Sequence, residues 1–405
     1  MIGKLAPILG ITFVDILGFS ILIPILPYYV THFGASYTVV GLLFATFAAC
    51  QFIAGPLWGN LSDRVGRKKV LIISQIGATI GWGMLAFAPT LLWVFIARIV
   101  EGISGGNISV TQAYVADRVE PAQRSQAFAY VGASFSAGFV FGPIIGGLLL
   151  PYGYTAPFLL AASLQVVTLL LTIYFLPENV AERGETGPAA DFGDIFRSFG
   201  DKQVRPILVQ KLSYSLALYG WFSVYALMLH VLLGFGARET SFFFGGFGVI
   251  SVLIQLGVVG RLADALGIRR GTAAPDTRLG HRRASNVGFT AACLFFAVIP
   301  FCRDVLSLAL IMPLFSFALS VSNAMLPALL TDAASERVRG TVLGVGSSLE
   351  SISGVLMPPL TTTVLMLYGP AWSSAIPAFF TFIALALGLV AQRREALAPN
   401  PSDAV

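Results

Sequence analysis

Twelve long apolar stretches follow one another along this 405-residue chain, and they decide what it can fold into. A helix needs about 20 apolar residues to cross the hydrocarbon core of a bilayer. Inside that core every backbone N–H and C=O must be hydrogen-bonded within the protein, which a helix achieves by itself. The stretches lie near residues 6–30, 38–61, 69–88, 90–116, 126–150, 154–176, 205–233, 239–264, 284–302, 304–330, 340–365 and 371–392. The sequence therefore predicts an all-α integral membrane protein with twelve transmembrane helices.

The composition excludes a soluble protein. Hydrophobic residues make up 56% of the chain and charged residues 11%, whereas soluble domains carry about 25% charged residues. A soluble fold with so few charges could not cover its own surface. The net charge of +5 sits in short clusters between the apolar stretches, which indicates membrane topology and no nucleic-acid partner.

The basic residues orient the chain. With the N-terminus in the cytoplasm, 21 of the 25 lysines and arginines fall in cytoplasmic segments. Arg238 and Arg303 fall in outer loops, and Arg98 and Lys211 fall inside helices. Because loops rich in Lys and Arg stay on the cytoplasmic side, we expect a multi-pass protein of the cell's inner (plasma) membrane with both termini cytoplasmic.

The two halves of the chain repeat each other. Residues 59–69 read GNLSDRVGRKK and residues 260–270 read GRLADALGIRR, at an offset of 201. Asp117, after the fourth stretch, maps onto Asp332 at an offset of 215. Repeated halves are typical of transporters whose substrate site lies near the membrane midplane. The repeat predicts two pseudo-symmetric six-helix bundles, one at 1–176 and one at 205–405, joined by a cytoplasmic linker at 177–204.

The second half carries an insertion relative to the first. The offset grows by 14 between the two matched positions, most simply through residues 269–283. This segment reads RRGTAAPDTRLGHRR. We interpret it as a long basic loop that the fold tolerates on its surface.

The loop at 59–69 has the residues that a gate requires. Gly59 and Gly66 permit a tight turn. Asp63 and Arg67 can pair with each other or with Asp117, which would latch the cytoplasmic side. The alternative is a charge cluster that only sets topology and caps helices. The predicted gating residues are Gly59, Asp63, Arg64, Gly66, Arg67, Lys68, Asp117 and Arg124.

Ionisable side chains inside the apolar stretches form a second group of candidates. An ionised side chain at a helix centre costs roughly 2.5–3.5 kcal/mol on insertion scales, so such residues are functional candidates by default. Asp15, Glu101 and Glu350 are the predicted proton carriers. Arg98 and Lys211 would balance these acids or attract an anionic part of a substrate. The alternative for Arg98 and Glu101 is a structural ion pair between positions i and i+3.

Two helices are predicted to line a substrate cavity. Arg98 and Gln112 follow helical spacing on one face of the fourth helix. Lys211, Tyr214 and Trp221 would line the cavity from the seventh helix, where an aromatic wall suits planar, lipophilic substrates. The alternative is that the aromatic residues face lipid or pack inside the protein.

The fifth stretch is rich in glycine around one proline. Small residues four apart permit tight packing of helices, and a proline bends a helix, so packing alone accounts for this composition. The residues are Gly138, Gly142, Pro143, Gly146 and Gly147.

Taken in order, four motifs resemble the major facilitator superfamily. GNLSDRVGRKK (59–69) resembles its signature loop, and RIVEGISGG (98–106) resembles its helix 4 motif. GFVFGPIIGG (138–147) is similar to the helix 5 motif of proton-coupled antiporters, and VDILGFSILIPILP (14–27) resembles the start of the drug:proton antiporter branch, which includes the tetracycline exporters. The resemblance is strong in the first half and rests on topology and the degraded repeat in the second.

Two departures from the family pattern limit what the resemblance implies. Ile268 stands where the first copy of the loop has Arg67, so a weaker gating loop is expected in the second half. Some tetracycline exporters have acidic residues in helices 3 and 9, and this chain has none in 69–88 or 284–302. The resemblance therefore supports the antiporter class more strongly than tetracycline itself as a substrate.

The resemblance implies a secondary transporter that exports lipophilic or amphipathic, drug-like molecules in exchange for protons. A proton-coupled uptake symporter for a small metabolite is the alternative. An integral-membrane enzyme is disfavoured, because the sequence has no HExxH and no phosphate-binding GxxxxGK[ST] loop. We expect no cofactor, no metal and a monomer, with the small-molecule substrate, protons and the lipid bilayer as partners.

Overall fold

The computed structural model describes residues 2–105, 110–111, 114–115, 119, 124–177, 192–266, 275–334 and 338–397. Within these ranges the regular structure is helical, and no strand occurs. The α-helices in the described part of the chain number fourteen: α1 Ile2–His32, α2 Tyr37–Val65, α3 Arg67–Ala86, α4 Leu91–Ser104, α5 Arg124–Leu149, α6 Thr155–Phe175, α7 Phe192–Gly200, α8 Arg205–Leu233, α9 Ala237–Ile254, α10 Gly260–Ala265, α11 Pro275–Val298, α12 Val305–Ala333, α13 Arg339–Tyr368 and α14 Pro370–Leu397.

The predicted membrane helices are confirmed. Eleven helices in the described ranges are long and apolar enough to cross a membrane. The remaining predicted span, 90–116, is described in part, and α4 supplies its first 14 helical residues. The protein is therefore an all-α, multi-pass membrane protein. The rest of that predicted span lies largely outside the described residues, so the twelfth span stays a prediction.

The chain divides into two compact units. Unit 1 draws on Met1–Ala189, Phe222–Gly248 and Gly354–Gly369, and unit 2 on Ala190–Trp221, Val249–Ser353 and Pro370–Val405. The boundaries proposed from the repeat, at 1–176, 177–204 and 205–405, stay a prediction.

Unit 1 is organised around α1 and α3. Helix α1 packs against α5 and α6, while α3 packs against α4 and α6. An apolar core that includes Leu5, Ile8, Val70 and Leu71 fills the space between these helices, and each of the four side chains is fully buried.

Unit 2 is organised around α11, which packs against both α12 and α14. Its apolar core includes Ile207 and Leu208 of α8, Leu329 of α12 and Val345 of α13. Between α9 and α10 the chain makes a five-residue π-helix, Gln255–Val259, of the kind often found at functional positions in longer helices.

The interpretation of residues 269–283 as a surface loop is wrong in its second half. Helix α11 begins at Pro275, so residues 275–283 are helical, and the segment is held by ionic contacts. Arg282, only 2% exposed, donates from Nε and Nη2 to both carboxylate oxygens of Glu395 at 2.7 and 2.8 Å. A proline at the first position of a helix costs no backbone hydrogen bond, which is why the basic run can extend the transmembrane helix beyond the apolar stretch.

The linker also contains more structure than the sequence indicated. Residues Phe192–Gly200 form a nine-residue helix, α7. Its sequence, FGDIFRSFG, contains three phenylalanines and two charged residues, and Phe199 packs against the core of unit 2. The helix is stabilised by this apolar contact.

The two-point contact between Arg282 and Glu395 yields a stability prediction. We expect Glu395→Gln to lower the free energy of unfolding by roughly 1–3 kcal/mol, less than for a fully buried pair because Glu395 is 25% exposed. The loss should be visible as a lower melting temperature of the purified protein in detergent.

Arg394→Gln is the matched control for this measurement. It removes an exposed charge one residue away and should leave the melting temperature within error. Equal effects of the two substitutions would contradict a specific role for the Arg282–Glu395 pair.

Candidate functional site

The corner between α2 and α3 is built by Gly66 and closed by Arg67. Gly66 has φ of 101°, a region that side chains with a Cβ rarely adopt. This turn brings Arg67, only 4% exposed, back onto the end of α2. Its Nη1 lies 2.5 Å from Asp63 Oδ1 and donates to Ser62 Oγ, also at 2.5 Å. Of the two pairings considered for these residues, the structure shows the one between Asp63 and Arg67.

The rest of the predicted gate is partly visible. Lys68 donates to the carbonyl of Ile173 at 2.7 Å, near the C-terminal end of α6, where unpaired carbonyls favour a cation. Arg64 is exposed. Asp117 and the side chain of Arg124 lie outside the described residues, so a contact between them and the loop stays a prediction.

The second copy of the loop region has a different ionic contact. His281 of α11 bonds through Nδ1 to Asp332 Oδ2 of α12 at 2.8 Å. Asp332 is the repeat counterpart of Asp117. Ile268 cannot supply the charge that Arg67 supplies in the first half. The His281–Asp332 contact is therefore different from the Asp63–Arg67 pair, whose acid corresponds to Asp264. The histidine carries a positive charge only when protonated.

Arg98 and Glu101 form a buried ion pair on α4. Arg98 Nη1 lies 2.6 Å from Glu101 Oε2, and the two side chains are 2% and 4% exposed. The guanidinium also lies 4.4 Å from the ring centroid of Phe47 on α2. A Cβ at Gly81 of α3 would lie 2.5 Å from Glu101 Cγ, so the absence of a side chain there makes room for the acid. Helices α2 and α3 enclose the pair. The arrangement corresponds to the structural ion pair that was the alternative prediction for Arg98 and Glu101.

This pair is incompletely hydrogen-bonded. Within the described residues, Arg98 Nε and Glu101 Oε1 have no hydrogen-bond partner. Buried polar atoms in native proteins are seldom left in this way unless water or a function requires it. Glu101 therefore retains an acceptor position for a proton or a water molecule.

Asp15 of α1 has a partner on α6. Gln165, 6% exposed, donates from Nε2 to Asp15 Oδ1 at 3.0 Å. This hydrogen bond joins α1 to α6 through a neutral side chain. No cationic partner of Asp15 occurs in the described part of the chain, which distinguishes it from the other two acids.

Glu350 of α13 is bonded to Lys211 of α8. The Nζ of Lys211 donates to Oε1 of Glu350, and the side chains are 9% and 39% exposed. The sequence placed both residues at membrane depth without pairing them. Since the two lie 139 positions apart, only the fold of unit 2 brings them together. Neutralising either partner would leave the other charge uncompensated in an apolar setting.

The predicted aromatic wall is packed inside unit 2. Tyr214, 1% exposed, donates to the carbonyl of Ala318 at 3.3 Å and lies 5.2 Å from Phe289 between ring centroids. Trp221 is fully buried, and its ring contacts those of three phenylalanines on α11 and α12. These positions correspond to the packing alternative. Gln112, the remaining cavity candidate, lies outside the described residues.

The glycines of α5 provide close contact with α1. A Cβ at Gly142 would lie 1.9 Å from Ser20 Oγ and 2.5 Å from the carbonyl oxygen of Leu17. Ser20 also donates to the carbonyl of Gly138 at 2.9 Å. Gly146, one turn further, faces Ile21 and Ile25. The three glycines therefore form a contact surface in which backbones approach each other directly, as small residues at four-residue spacing permit.

The opposite side of α5 meets α9 in the same way, inside unit 1. A Cβ at Gly147 would lie 3.0 Å from Ser241 Cβ. Conversely, a Cβ at Gly245 would lie 2.3 Å from Ile144 Cγ1, and one at Gly248 would lie 3.1 Å from Val140 Cγ2. Helix α5 thus uses glycines on two sides, and the motif around Pro143 is a packing element between α1 and α9.

A cluster around Tyr28 was not foreseen from the sequence. Its hydroxyl lies 2.6 Å from Thr240 Oγ1 and 3.0 and 3.1 Å from the carbonyl oxygens of Ala226 and Phe235. A hydroxyl donates only one proton, and either oxygen of the Tyr28–Thr240 pair can be the donor. His230 bonds through Nδ1 to the same Phe235 carbonyl at 2.9 Å. The sequence showed only aromatic residues near a helix end, which is ordinary at a membrane interface.

A second contact of this kind joins α2 to α13 in unit 1. The hydroxyls of Thr38 and Thr363 lie 2.9 Å apart. A Cβ at Gly41 would lie 2.2 Å from Thr362 Oγ1 and 2.5 Å from the carbonyl oxygen of Pro358. Both contacts lie at the ends of α1, α2, α8, α9 and α13 that the charge distribution predicts to face outward.

Acids in membrane-spanning helices, two of them bonded to side chains of other helices, together with glycine-lined helix contacts, are typical of a membrane transporter. Residues 8–274 match the family model of the Major Facilitator Superfamily. The chain belongs to this superfamily, a family of transporters rather than of enzymes.

Curated relatives and solved structures agree with this assignment. The chain is 29% identical to the tetracycline resistance protein of class B from Escherichia coli, over 91% of this chain and 90% of that protein. It is 27% identical to multidrug resistance protein 2 of Bacillus subtilis, over 64% of this chain and 66% of that protein. The crystal structure of the human organic anion transporter MFSD10 superposes with a TM-score of 0.73 at 24% identity, covering 95% of this chain and 98% of that one. The last comparison shows a shared fold alone.

The contact between Gly142 and α1 yields a stability prediction. We expect Gly142→Ala to push α5 from α1 and to destabilise the protein by about 1–3 kcal/mol, because the new Cβ meets backbone as well as a side chain. Thermal unfolding in detergent, followed by circular dichroism, would measure the change.

Gly132→Ala on the same helix is the matched control, since nothing lies within 4 Å of a Cβ there. Removing a helix-interior glycine should stabilise it by about 0.5–1 kcal/mol. The same sign for both substitutions would show that close packing at Gly142 does not limit stability.

Proposed function

We propose that this protein is a proton-driven exporter of lipophilic or amphipathic, drug-like small molecules that works by alternating access. The observation that carries the proposal is the set of three acids in transmembrane helices, Asp15, Glu101 and Glu350, each bonded to a specific side chain. An acid inside a membrane span is costly and is a functional candidate for that reason. Relatives named for resistance to tetracycline and to multiple drugs support the substrate class.

Glu350 and Asp15 suit the proton-carrying role better than Glu101. Protonation of Glu350 removes the charge that holds Lys211, so proton uptake can change a contact between α8 and α13. Asp15 has a neutral partner in Gln165, so its charge can change without leaving a cation unpaired. Glu101 is held in an ion pair with Arg98 inside the helix bundle, which gives it a structural role. It could exchange a proton only at Oε1, which has no hydrogen-bond partner among the described residues.

The proposed substrate class rests on two observations, the positions of the acidic residues and the names of the relatives. Helix α3, Arg67–Ala86, contains no acidic residue, and neither does the part of α11 at 284–298. The acids that some tetracycline exporters have there are therefore missing. An amphipathic molecule with a different charge distribution is a better candidate than tetracycline.

Alternating access requires contacts that close each side of the membrane in turn. The Asp63–Arg67 corner is proposed to act on the cytoplasmic side. The Tyr28 cluster and the Thr38–Thr363 contact are proposed to act on the outer side. We place the protein in the cell's inner membrane with both termini in the cytoplasm, as the positive-inside rule requires, and as a monomer.

The proton role is tested in inverted membrane vesicles with a pH-sensitive dye. Addition of a lipophilic cationic dye to acid-loaded vesicles should release protons through the wild type. We expect Asp15→Asn and Glu350→Gln each to reduce this coupled flux at least tenfold, because neither side chain can then exchange a proton. Flux in the opposite direction, with substrate and proton moving together, would identify the uptake symporter instead.

Two variants control this experiment. Asp304→Asn removes an exposed acid while keeping a side chain that caps α12, and it should transport normally. Lys211→Gln combined with Glu350→Gln removes both charges of the pair, so it separates lost coupling from misfolding. Undiminished coupling in both single variants would eliminate these acids as proton carriers.

The outer contact is tested by a reversible cross-link. In a variant with Cys50, Cys293 and Cys302 replaced by serine, we expect Thr38→Cys with Thr363→Cys to form a disulfide, since the parent oxygens lie 2.9 Å apart. The cross-link should abolish transport because α2 and α13 can no longer separate, and a reductant should restore it.

Each single cysteine variant serves as a control for this cross-link. Both should keep transport that is insensitive to oxidant. Full transport by the cross-linked protein would contradict opening at this contact.

A further inference from the structure

A groove runs along the surface of α11 in unit 2. It has a volume of about 520 Å³, within the usual range for small-molecule sites. Helix α11 forms its floor, and α12 and α14 form its two walls. The lining residues used below are Arg283, Asn286, Val287, Leu294, Phe317 and Gln392.

The length of the groove matches one leaflet of a bilayer. Its floor extends from Arg283 to Leu294, twelve residues of helix. The eleven steps between them, at 1.5 Å each, span about 16 Å. The hydrocarbon core is about 30 Å thick, so one leaflet contributes about 15 Å. Val287 and Leu294 on the floor are 43% and 53% exposed, and Phe317 packs along one wall. This surface suits an acyl chain.

The groove is polar at one end only. Arg283 lies at the end that the charge distribution predicts to be cytoplasmic, and its side chain is exposed. Asn286 donates from Nδ2 to Gln392 Oε1 at 2.7 Å, which fixes an amide pair just inside the mouth. The Nε2 of Gln392, which also lines the groove, would donate to a bound oxygen atom.

The charge of Arg283 is available to a ligand. Its neighbours Arg278 and Arg282 are both bonded to Glu395, at 3.3 and 2.7 Å. Among the described residues, Arg283 has no acidic partner. Arg393 and Arg394, next to Gln392 along α14, are also exposed. The mouth of the groove is therefore positively charged, whereas its interior is apolar.

We propose that this groove binds an anionic phospholipid of the cytoplasmic leaflet. Its phosphate would lie against Arg283 and the Gln392 amide, and one acyl chain would follow α11 toward Leu294. Basic pockets between transmembrane helices on the cytoplasmic side are suited to anionic headgroups. Because the lipid would contact α11, α12 and α14 together, it would stabilise the three helices of unit 2 that the Arg282–Glu395 and His281–Asp332 pairs also connect. This site is independent of the transported substrate and of the direction of transport.

Native mass spectrometry of the full-length protein tests the proposal. The protein is purified in detergent and titrated with phosphatidylglycerol or phosphatidylcholine of identical acyl chains. We expect phosphatidylglycerol to bind more tightly and to raise the melting temperature more. Arg283→Gln should weaken phosphatidylglycerol binding about fivefold, as expected for one basic side chain near an anionic headgroup, without affecting phosphatidylcholine.

Two further variants keep the test specific. Arg205→Gln removes an exposed arginine at the start of α8, outside the groove, and should leave the preference unchanged. Val287→Trp should fill the exposed floor and displace both lipids from this site. Melting temperatures without added lipid show whether each variant is folded, and Val287→Trp tests the groove even if Arg283→Gln proves unstable.

Three outcomes would overturn the proposal. Equal binding of the two lipids by the wild type would mean ordinary annular lipid only. Equal losses in Arg283→Gln and Arg205→Gln would mean general electrostatic attraction. Displacement of phosphatidylglycerol by tetracycline or a lipophilic cationic dye, with a changed transport KM in Arg283→Gln, would mean that the groove binds a transported molecule. Loss of proton coupling in the acid variants would leave the lipid result unaffected.

Discussion

The structure depends on helices that approach one another closely while each satisfies its own backbone. In hydrocarbon no water is available to bond a free N–H or C=O, so the chain must be helical wherever it crosses. Lipid tails are as apolar as leucine, so apolar burial alone gives little reason for helices to associate. Contact at short range must supply the attraction, and Gly142 of α5 shows how, because the space of its missing Cβ is occupied by Ser20 and the backbone of α1. At Gly245 of α9 the space of the missing Cβ is likewise occupied, here by the side chain of Ile144.

The few charges in the membrane are placed between helices, and their pairings differ in kind. Arg98 and Glu101 lie on one helix, and a space at Gly81 accommodates the acid. Lys211 and Glu350 come from distant parts of the chain, so their contact exists only while α8 and α13 keep their positions in unit 2. An ion pair within one helix stays formed when that helix moves. An ion pair between two helices breaks or changes when one helix moves relative to the other. For this reason Glu350, whose partner lies on another helix, is the better proposed switch. Glu101, whose partner lies on the same helix, is the better structural element.

The two halves repeat each other in sequence, but their ionic contacts differ. The first half closes its corner with Arg67 against Asp63. In the second half Ile268 stands at the position of the arginine. A separate contact joins His281 of the following helix to Asp332, the counterpart of Asp117. The segment that lengthens the second half is also the segment that supplies this histidine and Arg282. An insertion that looked neutral in the sequence therefore became part of α11 and brought its own ionic contacts.

The sequence by itself determined the number and course of the membrane helices, the family and the glycine-rich character of α5, since these follow from the length and local spacing of residue types. It also placed Asp15, Lys211 and Glu350 at membrane depth. Only the tertiary structure decided their partners, because Gln165 lies 150 positions from Asp15 and contacts of that separation leave no local periodic signal. It likewise decided that Tyr214 and Trp221 are packed inside unit 2, and that Tyr28 meets Thr240. Which side of a helix faces a neighbour is fixed by the packing of all the helices together, whereas the existence of the helix is fixed by its own residues.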